Sequence, residues 1–263
     1  MQNLKVAIIQ SSLHWEDPVL NLGMFSEKIK VLDPETDLLV LPEMFTSGFS
    51  MKPSMVADTN VNRALEWMME VAAKRNLVVC GSIAVEDSGS YFNRFYWVRP
   101  DGSNEYYDKN KLFSFAGEHD VYTPGTKPLI VELKGWRIKP IICYELRFPE
   151  LCRNHYQEGV GFDYDCLLVV ANWPASRSHA WRVLLMGRAI ENQSYVVAVN
   201  RVGVDANGNE HSGDSAVLSP SGESLSALMP NHESSETVLL PRCQIDDFRK
   251  QFRFWQDWGG ADE

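Results

Sequence analysis

Residues 139–150 read KPIICYELRFPE, and the way this stretch is read decides the fold. Ile141, Ile142 and Cys143 continue an apolar, strand-like run, and Tyr144, Glu145 and Arg147 then arrive without transition. A free cysteine is ordinarily a small buried hydrophobe. Cys143 instead sits where a buried strand breaks into a polar turn, and α/β proteins keep reactive groups just beyond the carboxyl ends of strands. If a helix or turn begins at Tyr144, its unpaired N–H groups point back at the sulfur. There they favour the thiolate and can hold an oxyanion.

Similar apolar runs recur along the chain at 5–10, 37–43, 76–86, 95–100, 129–133, 137–145, 165–173, 194–203, 214–220 and 236–241. Several are apolar on successive residues, the pattern of strands buried on both faces. Helical spacing marks 62–76 (Leu65, Met68, Met69, Ala72) and 179–193 (Val183, Met186, Ile190). The close pairs 76–86/95–100 and 214–220/236–241 predict antiparallel hairpins. No linker or repeat divides the chain, so 1–263 reads as a single mixed α/β domain. Its tail, 245–263, is rich in aromatics (Phe248, Phe252, Phe254, Trp255, Trp258) and is expected to pack on the domain or on a dimer partner.

With 44% hydrophobic and 23% charged residues, the 263-residue chain can bury a sizeable core. A formal charge of −10 and no basic block argue against nucleic acid and anionic membrane surfaces as partners. The N-terminal apolar stretch VAII is too short for a signal peptide. Five scattered cysteines without CxxC fit a reducing compartment, so a cytoplasmic location is expected. GxSxG, P-loop, GxGxxG and HExxH strings are absent, and no metal-ligand spacing is present, so no metal or cofactor is expected.

A reactive thiol needs a base and a group to hold developing negative charge. None of the six histidines offers itself. Glu43, directly after the apolar run in LVLPEMF, suits a general base at a strand end. YYDKNKLFSFAGEHD (106–120) reads as a loop carrying Lys109, Lys111 and Glu118 among aromatics, and a fixed lysine there could stabilise an oxyanion.

Glu43, Lys109 and Cys143, in that order, resemble the Glu–Lys–Cys triad of the nitrilase superfamily of carbon–nitrogen hydrolases. The likeness runs nearly end to end through VAIIQ, LPEMFTSGF, YDKNKLF, ICYELRFPE, VVANWPASR, RAIENQSYVVAVNRVG and GDSAVLSPSGE. Lys109 falls on the family's catalytic lysine, Lys111 stands where a histidine is usual, and Glu118 falls where a second glutamate often orients the cysteine and substrate. NWPASR and the tail FRKQFRFWQDW look most like the bacterial ω-amidase subgroup. That resemblance implies a four-layer α-β-β-α sandwich and a homodimer or higher homo-oligomer. It also implies hydrolysis of the terminal amide of a small carboxylate-bearing amide, of the 2-oxoglutaramate or 2-oxosuccinamate type, through a cysteine thioester. Candidate substrate contacts are Tyr144, Phe45, Phe115, Arg147, Trp173 and Arg177, with Lys111 as a third possible cation for a distal carboxylate. A nitrilase, an N-carbamoyl-amine hydrolase, an aliphatic amidase or an acyltransferase would use the same triad, and a silent binding module would keep the fold. The residues leave these open.

Overall fold

The computed structural model of the protein describes residues 2–58 and 63–258. Among these, eleven strands form two large sheets. They are β1 (Leu4–Gln10), β2 (Leu38–Val40), β3 (Val78–Asp87), β4 (Ser90–Val98), β5 (Asn104–Asp108), β6 (Val131–Leu133), β7 (Trp136–Ile142), β8 (Cys166–Ala171), β9 (Tyr195–Asn200), β10 (Ala216–Leu218) and β11 (Ser234–Leu240). One sheet has the order β11-β1-β2-β3-β4-β5, the other β10-β9-β8-β7-β6. The inner strands of each sheet are parallel, as in β1–β2–β3 and β7–β8–β9, and carry the continuous apolar runs seen in the sequence.

Side-chain alternation builds the layers. On β1, Leu4, Val6 and Ile8 point into a core shared with Ile138, Leu167 and Val169 of the other sheet. Ala7 and Ile9 point the opposite way, onto helices α1 (Pro18–Lys30) and α2 (Arg63–Arg75) through Phe25, Ile29, Met68 and Ala72. Helix α3 (Ser178–Glu191) covers the outer face of the second sheet with Trp181, Leu185 and Ala189. The result is the α-β-β-α sandwich. Each fully buried Val, Leu or Ile contributes about 1.5–3 kcal/mol of transfer free energy to holding it together.

The expected hairpin 76–86/95–100 is β3–β4, paired antiparallel from Val79–Val98 to Asp87–Ser90. The expected hairpin 214–220/236–241 does not form. β10 pairs with β9 of one sheet and β11 with β1 of the other. The helix expected at 62–76 is α2, although Asn62 lies outside the described residues. Helix α1 is not among the expected ones. It starts where Asp17 accepts a hydrogen bond from Leu20 N (3.0 Å), with Pro18 in its first turn.

Helix α4 (Arg242–Gln251) begins the aromatic tail, whose last residues, 259–263, lie outside the described set. Within the chain, Arg249 pairs with Asp165 (2.7 Å) and Trp255 packs at a tilt against Tyr156 with ring centroids 4.0 Å apart. No helix among the described residues is long and apolar enough to cross a membrane.

Candidate active site

The strand ends deliver the polar groups to one place. Glu43 follows β2, Lys109 follows β5, Cys143 follows β7, and Asn172 follows β8. The first two come from one sheet and the last two from the other, so the site forms where strand ends of the two sheets meet. Pro42 and the positive φ of Met44 (42°) turn the chain out of β2 and leave Glu43 fully buried. Cys143 itself takes a left-handed backbone (φ 49°) at the head of a tight turn, Cys143–Arg147. For a residue with a Cβ that conformation costs about 1–3 kcal/mol, strain of the kind that collects at functional sites.

Lys109 Nζ donates to Glu43 Oε1 (2.9 Å) and to both oxygens of Glu118 (3.1 and 2.9 Å). All three side chains are shut off from solvent. Burial alone would lower the lysine pKa, but the charges of Glu118, Glu43 and Cys143 outweigh it and raise the pKa, so the ammonium is fixed in place. The Cys143 thiol is pushed well up, first by burial and then by the nearby Glu43 charge. The Lys109 charge and the Asn172 N–H oppose this without overcoming it. Burial thus works against the thiolate that donors at the head of the turn favour, and a base close to Sγ would ease removal of its proton.

Two residues that sequence reasoning missed hold Glu43. Asn93 of β4 donates to Glu43 Oε1 (2.9 Å) and Glu118 Oε1 (3.3 Å). Asn172 donates its backbone N–H to Glu43 Oε2 (2.8 Å) and its side-chain amide to the Glu43 carbonyl. A single asparagine in the aromatic strand SYFNRFYWV was the available signal for Asn93, since a buried amide requires polar partners.

Above the thiol lies a cleft of about 540 Å³. Lys109, Cys143, Tyr144, Phe115, Arg147, Trp173 and Arg177 line it. Arg147 lies over the Trp173 ring (4.7 Å) and Arg177 over the Phe113 ring (5.4 Å); neither forms an ion pair among the described residues. The alternative of Arg147 tying its turn to Glu145 or Glu150 is not what the structure forms. Phe45 does not reach the cleft. The Met44 turn sends it back under α1, edge-on to Phe25 (5.7 Å). Lys111 lies over Phe148 (5.5 Å), away from the lining.

The family's sequence profile, carbon–nitrogen hydrolase, matches residues 5–251. The chain belongs to the carbon–nitrogen hydrolase family. It is 42% identical to the omega-amidase YafV of Escherichia coli K12, over 100% of this chain and 98% of the relative. It is 32% identical to the 2-oxoglutaramate amidase of Bacillus subtilis, over 92% and 90% of the two chains. Its fold superposes on XC1258 of Xanthomonas campestris, a CN-hydrolase superfamily protein described with an arsenic adduct in its active site. The TM-score there is 0.95 at 38% identity, covering 99% of this chain and 98% of that one. This carbon–nitrogen hydrolase is accordingly an amide-hydrolysing enzyme with the nitrilase-superfamily sandwich.

The far wall of the cleft includes His211, which is 4% exposed. Burial first, and then the charge of Arg201, depress its pKa from 6.5 to about 4. The unfolded chain therefore binds a proton there that the folded one refuses. The resulting stability is complete above pH 6.5 and is lost as pH falls towards 4, a change on the order of 3 kcal/mol. Comparing Tm at pH 7 and pH 4.5, His211→Asn should lose less than wild type by about 6–10 °C. Equal losses would show that His211 is not part of the acid sensitivity.

Proposed function

We propose that the enzyme hydrolyses the terminal amide of a small carboxylate-bearing amide of the 2-oxoglutaramate or 2-oxosuccinamate type. The observation that carries this is the pair of guanidiniums, Arg147 and Arg177, held against aromatic faces in the same cleft as Cys143 and free of ion pairs among the described residues. A fork of N–H donors without a carboxylate matches a substrate that brings one. Full-length relatives named for ω-amidase and 2-oxoglutaramate amidase activity support the same class.

In this reading Glu43 takes the Sγ proton as sulfur attacks the amide carbonyl carbon. Lys109 and the amide of Tyr144 hold the resulting oxyanion; that amide heads the turn, where the first N–H groups have no partner within it. The C–N bond breaks, Glu43 returns the proton to the departing nitrogen, and ammonia leaves a thioester on Cys143. Glu43 next takes a proton from water, whose oxygen attacks the thioester. The C–S bond breaks and the acid and free thiol are restored. Glu118 and Asn93 keep Lys109 and Glu43 oriented through both halves. Tyr144, Phe115 and Trp173 wall the acyl group.

Replacing Arg147 or Arg177 with Gln should raise KM for a carboxylate-bearing amide by about 10- to 100-fold at one of the two positions, the worth of one charged hydrogen bond. KM for a neutral aliphatic amide should stay put. If neither replacement separates the two substrates, the carboxylate reading fails.

A row of exposed apolar residues on α3, Val183, Met186 and Ile190, supports a homo-oligomer, which sedimentation velocity measures directly. Five cysteines without a disulfide support a cytoplasmic setting.

A further inference from the structure

Glu145 is fully buried two residues after the nucleophile, and its carboxylate joins two chain segments from different sheets. Its Oε2 accepts from the N–H of Ile142 (2.7 Å), the residue before Cys143. Its Oε1 accepts from the N–H groups of Asn110 (2.6 Å) and Lys111 (3.2 Å), directly after Lys109. The same Oε1 accepts from the hydroxyl of Tyr107 (2.6 Å), two residues before Lys109. One carboxylate thus brackets the nucleophile on one side and the oxyanion lysine on the other.

We propose that Glu145 is a positioning residue that sets the spacing between Cys143 Sγ and Lys109 Nζ across the two sheets. Phe115, Trp173 and Arg177 line the cleft from outside this turn, so losing the clamp acts mainly on the placement of the lysine against the developing oxyanion. A misplacement of about 1 Å in such a pair can cost about 100-fold in rate. Only an ionised carboxylate satisfies all four donors. A glutamine of the same shape must turn an NH2 group towards one of them, and two donors facing each other push one segment away. Tyr107→Phe removes a single donor and leaves the backbone contacts in place.

The proposal rests on Cys143 and Lys109 being the working pair, and a Cys143→Ala control tests that separately, since residual turnover there would overturn both assignments. For Glu145→Gln, steady-state kinetics should show kcat reduced by about 100-fold with KM within threefold of wild type. For Tyr107→Phe, a milder change that removes one hydroxyl and keeps the ring, kcat should fall by about 5- to 10-fold with KM again unchanged, the effect of one lost hydrogen bond. A kcat within twofold of wild type in Tyr107→Phe, or a loss in either variant carried by KM, would overturn the proposal. A merely structural role lowers the folded fraction and with it the apparent activity, so active-site titration of the thiol is used to express kcat per folded site.

Discussion

A Cys143→Ala protein should fold as wild type and lose amide hydrolysis by more than about 10⁴-fold, the scale on which removal of a nucleophile abolishes covalent catalysis. The fold should tolerate the change because the neighbours of the thiol, Glu43 and Lys109, remain paired with each other. The strained backbone at φ 49° persists in alanine, so stability should shift by less than about 1 kcal/mol. Ammonia release and urea denaturation measured on the same preparation separate the two effects. A fall in stability large enough to account for the lost activity would count against a purely chemical role.

The second large effect is expected at Lys109. Lys109→Met should lower kcat by on the order of 10²–10³-fold, about 3 kcal/mol of lost oxyanion stabilisation. Unlike the cysteine change, it should also destabilise the fold by about 3–5 kcal/mol, because Glu43 and Glu118 stay buried without their cation. Two carboxylates sharing one site cannot both remain ionised at low cost, so the variant should regain stability as pH falls and one of them takes a proton. This is opposite in sign to the acid sensitivity that His211 gives the wild type. Urea unfolding of the variant and of wild type at pH 7.5 and pH 5.5 checks the sign, since both carry His211. A stability gap between them that fails to narrow at pH 5.5 would show that the lysine is not what compensates the pair.

The sequence reading singled out residues that the fold brings together where chemistry and local pattern coincide. Glu43 and Cys143 each follow an apolar run, and an abrupt polar residue after such a run is visible without a structure; Lys109 was legible from the motif around it. The reading failed where long-range pairing decides. The segments 214–220 and 236–241 carry hairpin-like spacing, but each finds a better-buried partner in a different sheet, β9 and β1. Around Lys109, the charged and aromatic string 106–120 concealed the short edge strand β5. Phe45 stands two residues from Glu43, yet the positive φ at Met44 reverses the chain between them and sends the ring into the helix-facing core. Composition does not record such a turn. Asn93 was hidden for a different reason: its role depends on two carboxylates 50 and 25 residues away in the chain, which only the folded arrangement brings together.

The thiol also illustrates how environment overrides a local rule. Donors at the head of a turn favour a thiolate, but here burial and the Glu43 charge push the thiol pKa up. In the proposed mechanism this is why Glu43 acts as the base.

The most direct test of the central claim is ammonia release from 2-oxoglutaramate, with glutamine and a simple aliphatic amide alongside, for the wild type and Cys143→Ala. Strong release from the keto amide, weak release from the other two, and none from the variant is the predicted result. Release that survives the loss of Cys143, or that is no greater from the keto amide than from the neutral one, would contradict it.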